Sequence, residues 1–139
     1  MAETLREVMR QSPVTVPPDM NLVEASRTMK EFDIGDLIVM ENGTVAGIVT
    51  DRDITIRATA EGKDPKSTTL AEIYSKNLVT IEPDATVDDA VELMRSKALR
   101  RLPVVEGNKP VGVVSLGDLA IDRDPSSALA DISAAPPNQ

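Results

Sequence analysis

The chain has 139 residues, 41% hydrophobic and 27% charged, enough for one domain or two small halves. It has no His and no Cys. That excludes a Ser-His-Asp triad, a thiolate nucleophile, a disulfide framework, an iron–sulfur cluster and a zinc site of the usual nitrogen and sulfur ligands. Fifteen Lys and Arg against 23 Asp and Glu leave a formal charge of −8, which repels nucleic acid and anionic membrane surfaces.

Taken in chain order, Leu5, Val8 and Met9 lie at helical spacing and predict a short opening helix. Val14-Thr15-Val16 reads as a short β segment, and Pro18-Asp19 turns the chain. A second helix carries Leu22, Ala25, Met29 and Phe32 on one face. Two apolar strands follow, Leu37–Met40 and Val45–Val49, joined through Asn42-Gly43, a strong hairpin signal. A last helix begins after Thr50. The order then recurs: Leu70 and Ile73; Val79-Thr80-Ile81; Pro83-Asp84; Val87, Ala90, Val91 and Met94; Leu102–Val105; Val111–Val114; and a helix after Ser115.

The recurrence is a duplication. Shifted by 65 positions, residues 4–54 overlay 69–119 without a gap, and 15 of the 51 positions are identical, among them Pro18/Pro83, Met29/Met94, Gly47/Gly112 and Asp53/Asp118. The predicted domains are 4–60 and 69–123, with a polar connector at 61–68 and a tail at 124–139. Asp124-Pro125 predicts a short helix over Ser126–Ile132, followed by disorder over 134–139. A repeat of about 50 residues buries too little core alone, so the copies are expected to pack on each other. No apolar run approaches the roughly 20 residues that span a bilayer, and nothing in the first residues resembles an export signal. The expected location is the cytoplasm.

This doubled β-α-β-β-α unit resembles a tandem pair of cystathionine-β-synthase (CBS) domains, a Bateman module. The residues that carry the resemblance are Val14-Thr15-Val16 with Pro18-Asp19, Gly47-Ile48-Val49-Thr50-Asp51-Arg52-Asp53, Arg100-Arg101-Leu102-Pro103-Val104-Val105 and Gly112-Val113-Val114-Ser115-Leu116-Gly117-Asp118. It covers 4–119 and is similar to the small stand-alone bacterial members, including the actinobacterial hypoxic response protein type. The resemblance implies an α/β fold of two CBS units packed about a pseudo-twofold axis. It further implies a regulatory, non-enzymatic module that senses AMP, ADP, ATP or S-adenosylmethionine in inter-repeat clefts and signals through a homodimer or an unknown protein partner. No cofactor or metal is required. The alternative is a structural or protein-interaction module that has lost its ligand.

The resemblance assigns ligand binding to Thr50 with Asp53 and to Ser115 with Asp118. The hydroxyl would meet a phosphate or ribose oxygen, the carboxylate would accept from ribose hydroxyls, and first-turn amides would face phosphate. Thr/Ser-x-x-Asp/Glu is equally a capping box, and the pattern or its Asn variant precedes all six predicted helices. Asp is expected to be short for the reciprocal bond, which sets the two third-helix pairs apart. Thr15 and Thr80 have two readings, a backbone contact to adenine or simple strand packing. Arg100 and Arg101, expected on opposite faces of a strand, are the candidate phosphate partners; the first repeat has Gly35-Asp36 there, so the two sites differ in charge. The acidic pairs Asp51/Asp53 and Asp88/Asp89 read as first-turn charges favoured by the helix dipole. With Phe32 and Tyr74 unduplicated, aliphatic walls would hold any base.

Overall fold

The computed structural model describes residues 2–135; the expectation of disorder over 134–139 is corrected at Ala134, which ends a helix, and over 136–139 lies outside the described residues. In chain order, a 3₁₀ turn (Leu5–Glu7) leads to β1 (Arg10–Gln11) and β2 (Thr15–Val16), then α1 (Leu22–Phe32), β3 (Asp36–Glu41) and β4 (Thr44–Thr50). Next come α2 (Asp51–Ile54), which runs directly into a π turn (Thr55–Thr59), and a second 3₁₀ turn (Leu70–Glu72). The chain closes with α3 (Val87–Lys97), β5 (Arg101–Glu106), β6 (Lys109–Ser115), α4 (Leu116–Arg123) and α5 (Ala128–Ala134).

The 65-residue offset holds to the residue through the helix and hairpin of each repeat: α1 maps onto α3, β3 onto β5 and β4 onto β6. Even the irregularities repeat, with register shifts after Val39 and after Val104. Both helices end on a left-handed residue, Asp33 at φ 55° and Ala98 at φ 54°. The turns differ. Asn42 and Gly43 both have positive φ, as a type I′ hairpin needs, whereas only Gly107 does in the second hairpin.

Packing divides the chain into two units with boundaries unlike those of the sequence repeat: residues 1–13 with 79–139, and residues 14–78. Each unit therefore takes the opening segment of the other repeat. In the unit of 14–78, Leu70, Ile73 and Tyr74 join a core with Val16, Leu22, Met29, Leu37, Val39 and Val49, beneath the sheet β2-β3-β4. In the other, Leu5 packs with Val87, Ala90, Met94, Leu102, Val104, Val114 and Leu119, beneath the sheet β1-β6-β5. Both cores are aliphatic except for Tyr74.

A duplicated glycine admits each opening segment. A Cβ at Gly47 would lie 2.5 Å from the Tyr74 ring, and one at Gly112 would lie 2.6 Å from the Met9 sulfur. Arg6 fastens its segment further, through Glu106 at 2.9 Å and Asp84 at 3.2 Å. Those two hydrogen bonds, Glu106 first, raise the Arg6 pKa above its ordinary value.

Several expectations are corrected here. Val79-Thr80-Ile81 is not a strand but a single parallel bridge, Ile81 to Val104, and the opening helices are 3₁₀ turns. The hydrogen bonds that a strand needs are still made at that bridge, by the Ile81 amide to Pro103 and the Val105 amide to Ile81. The last helix is α5 over Ala128–Ala134, capped by Ser127, rather than a helix started by Asp124-Pro125.

Candidate functional site

In each unit the hydroxyl and carboxylate stand where the last strand turns into a helix. The Thr50 amide donates to Asp53 Oδ2 at 2.8 Å, and the Asp53 amide donates to Thr50 Oγ1 at 3.1 Å. Ser115 and Asp118 repeat this at 2.8 and 3.2 Å. Both pairs are thus reciprocal capping boxes and half-buried.

The expectation that Asp is too short for this bond is corrected. Thr86 and Asp89, at the start of α3, make the same box at 3.2 and 3.0 Å. An Asp at this spacing therefore does not by itself mark a ligand site. The capping and ligand roles are nonetheless compatible. A hydroxyl that accepts one amide keeps its proton and a second lone pair, and a carboxylate offers about four acceptor positions. The box fixes the side chains and leaves part of each unused.

The first-turn amides are less available than expected. In α2, the Asp51 amide donates to Gly35 O at 3.0 Å and the Arg52 amide to Asp51 Oδ1 at 2.8 Å. In α4 the Leu116 amide donates to Arg100 O at 2.8 Å, and Leu116-Gly117 replaces Asp51-Arg52, so Asp118 is the acidic residue of that turn where α2 has both Asp51 and Asp53.

The charge difference between the units is carried by the strand beside each box. Asp36, buried, is the register partner of Thr50, and Arg101, half-buried, is the register partner of Ser115. Both Asp36 and Arg101 are engaged in interactions of their own. Arg100 is not on a strand face as expected. It sits in the bend before β5, exposed, with its carbonyl on α4.

Thr15 and Thr80 are both exposed, which removes the strand-packing reading. Thr15 opposes Ile38, which opposes Ile48, so Thr15 and Thr50 occupy opposite edges of one sheet. Two strand spacings and the two-residue offset from Ile48 to Thr50 separate them by about 12 Å. Thr80 lines a cavity of ≈ 680 Å³ whose wall includes Glu82, Asp84, Asp89 and Glu92, a surface unsuited to phosphate.

Sequence reasoning missed Arg57. Its Nη1 donates to Ile73 O at 3.1 Å and its Nε lies 3.7 Å from Asp53 Oδ1. The repeat-equivalent position is Asp122, whose Oδ1 accepts from the Ala2 amide at 2.8 Å. Only the spacing of Asp53 and Arg57, one helical turn apart, signalled it. A second unforeseen feature is a groove of ≈ 340 Å³ between α3 and α4, lined by Val91, Met94, Leu99, Leu116, Leu119 and Ala120 and rimmed by Arg95 and Arg123. Arg95 pairs with Glu92, and Arg123 with Asp88 at 3.0 Å. The equivalent face of α1 and α2 is mixed: Met29, Ile34 and Ile54 are kept, but Ser26, Asp51 and Thr55 stand where the groove has Val91, Leu116 and Ala120.

The duplicated strand–helix junction and the two three-stranded sheets define a CBS-domain pair. The CBS family model matches residues 5–58 and 70–121, and the chain belongs to that family. Among its relatives is the CBS domain-containing protein YhcV of Bacillus subtilis, 39% identical over 134 residues, 94% of this chain and 95% of the relative. The structure of Hypoxic Response Protein I with two coordinated zinc ions is similar at TM-score 0.75 and 30% identity, covering 88% of this chain and 99% of that one. A CBS-domain pair in complex with 5′-methylthioadenosine and S-adenosyl-L-methionine is similar at TM-score 0.79 and 25% identity, over 89% and 98% of the two chains.

The chain has no His or Cys to offer a zinc ion, and no group of three or more acidic side chains among the described residues could hold a metal. Among the described residues, no helix is long and apolar enough to cross a membrane.

Proposed function

We propose that the protein is a cytoplasmic, non-enzymatic ligand-sensing module that binds an adenosine compound at Thr50/Asp53 and at Ser115/Asp118. The observation that carries this reading is the pair of half-buried boxes at equivalent junctions, each holding a hydroxyl and a carboxylate in place with bonding capacity to spare. The adenosine ligands in a similar CBS pair support the ligand class. Ribose hydroxyls meet Asp53 and Asp118, and Thr15 and Thr80 contribute the backbone beside the base. Arg101 and the uncharged Leu116-Gly117 at the start of α4, where α2 has Asp51-Arg52, favour phosphorylated ligands, AMP, ADP or ATP, at Ser115/Asp118. Asp36 and Asp51 favour an uncharged or sulfonium compound such as S-adenosylmethionine at Thr50/Asp53.

The signal passes through association with a second copy or another protein. A second copy suits the α3–α4 groove, because a twofold axis sets apolar wall on apolar wall and brings Arg95 and Arg123 within reach of the partner copy's own rim carboxylates.

A competing reading, an interaction module without ligand, draws on the box at Thr86/Asp89, which caps a helix with no ligand role assigned to it. Thermal unfolding against AMP, ADP, ATP and S-adenosylmethionine separates the two. A ligand at 100 times its dissociation constant stabilises by about 2.7 kcal/mol, and Asp53→Asn and Asp118→Asn should each reduce the shift. Unchanged melting with all four at millimolar concentration favours the interaction module.

A further inference from the structure

The third helix of the 14–78 unit is not regular. After Ile54 it widens into a π turn, in which the Ala60 amide donates to Thr55 O at 2.9 Å, five residues back. Its counterpart α4 continues as an ordinary helix to Arg123. Single π turns inside helices recur at functional sites, where they alter which side chain faces a given neighbour.

Here the turn contains Arg57, and Arg57 is held at two places: by the Ile73 carbonyl at 3.1 Å and near the Asp53 carboxylate at 3.7 Å. An exposed ion pair one turn apart on a helix contributes little by itself. The second anchor changes that, because a guanidinium fixed on a backbone carbonyl keeps its remaining donors in a fixed plane. Asp53 is then constrained at both oxygens, Oδ2 by the Thr50 amide and Oδ1 by Arg57. Its side chain is 17% exposed, so a ligand approaching the junction meets the carboxylate in one orientation.

We infer that Arg57 is a positioning residue for ligand recognition: by bridging Ile73 O and Asp53 Oδ1 it sets the carboxylate to accept a ribose hydroxyl. This rests on the adenosine reading given above. It also ties the ligand carboxylate to the segment that contributes Ile73 and Tyr74 to the core, with no equivalent cation in the other unit, where Asp122 stands instead.

The test measures discrimination of the ribose hydroxyl, which general destabilisation would leave alone. In an Asp118→Asn background, which silences the other box, dissociation constants for adenosine and 2′-deoxyadenosine, uncharged ligands suited to the acidic Thr50/Asp53 box, are compared for Arg57, Arg57→Lys, Arg57→Gln and Arg57→Ala. A charge-assisted hydrogen bond to the hydroxyl gives about a tenfold preference for adenosine with Arg57 present. That preference should fall to less than about threefold in Arg57→Ala and Arg57→Gln and be partly kept in Arg57→Lys. Should the alanine variant fail to fold, Arg57→Gln decides, since its amide can still reach the Ile73 carbonyl. A preference unchanged in Arg57→Gln overturns the positioning role while leaving the adenosine reading intact. Absence of adenosine binding with Arg57 present overturns the adenosine reading at this box, and the positioning role with it.

Discussion

At the scale of single residues, the spacing of Thr50/Asp53 and Ser115/Asp118 was legible in the sequence, and its capping reading is observed at both. Reach was not legible. Asp53, Asp89 and Asp118 all bond back to their N-cap amides, at 2.8, 3.2 and 2.8 Å. The carboxylates are therefore structural whatever else they do. Asp53→Ala should lose about 1 kcal/mol of stability in urea denaturation even without ligand, and Asp118→Ala the same. Ligand-binding tests accordingly use the isosteric Asn. Ala98 is a separate case. It holds φ 54° at the end of α3, where an L-residue with a Cβ is strained, and Asp33 occupies the same place after α1. Ala98→Gly should raise stability by about 1 kcal/mol, read as a higher urea midpoint. A lower midpoint would mean that the αL cost at Ala98 is already relieved.

At the scale of elements, helices α1 and α3 and the two hairpins were legible because their apolar periodicity and turn residues are local. Strand β1 was not. Arg10-Gln11 has no β-forming character, yet it pairs with Val113 and Gly112 of β6. That pairing depends on Met9 lying over Gly112, a contact between residues 103 apart in sequence that no local pattern encodes. Nor does a local pattern announce the π turn, which shows only in the backbone bond from the Ala60 amide to Thr55 O. The glycines give the direct check on these long-range contacts. Gly47→Ala places a methyl against the Tyr74 ring and the Ser75 backbone, and should cost about 1–3 kcal/mol in chemical denaturation. A neutral result would mean that the opening segment docks elsewhere.

At the scale of the molecule, duplication was the strongest signal in the chain, and the 65-residue offset recurs in the elements themselves. The boundaries were hidden, because each unit is closed by the segment that precedes the other repeat. Sequence similarity records ancestry, whereas packing records which surfaces bury one another. The repeats have also diverged on their helical faces, apolar over α3–α4 and mixed over α1–α2, where Ser26, Asp51 and Thr55 replace Val91, Leu116 and Ala120. Leu116→Asp, at an exposed position in the apolar groove, should convert a dimer to a monomer in sedimentation equilibrium while the chain stays folded by circular dichroism. A dimer that survives this change assembles through another face.

The central claim is that two hydroxyl–carboxylate junctions hold an adenosine compound. Calorimetric titration of the full chain with AMP and S-adenosylmethionine, beside the Asp53→Asn/Asp118→Asn double variant, tests it most directly. The expected result is saturable binding by the unaltered chain, with the heat lost in a double variant that remains folded. Equal binding by both proteins, or no heat with either ligand, would contradict it.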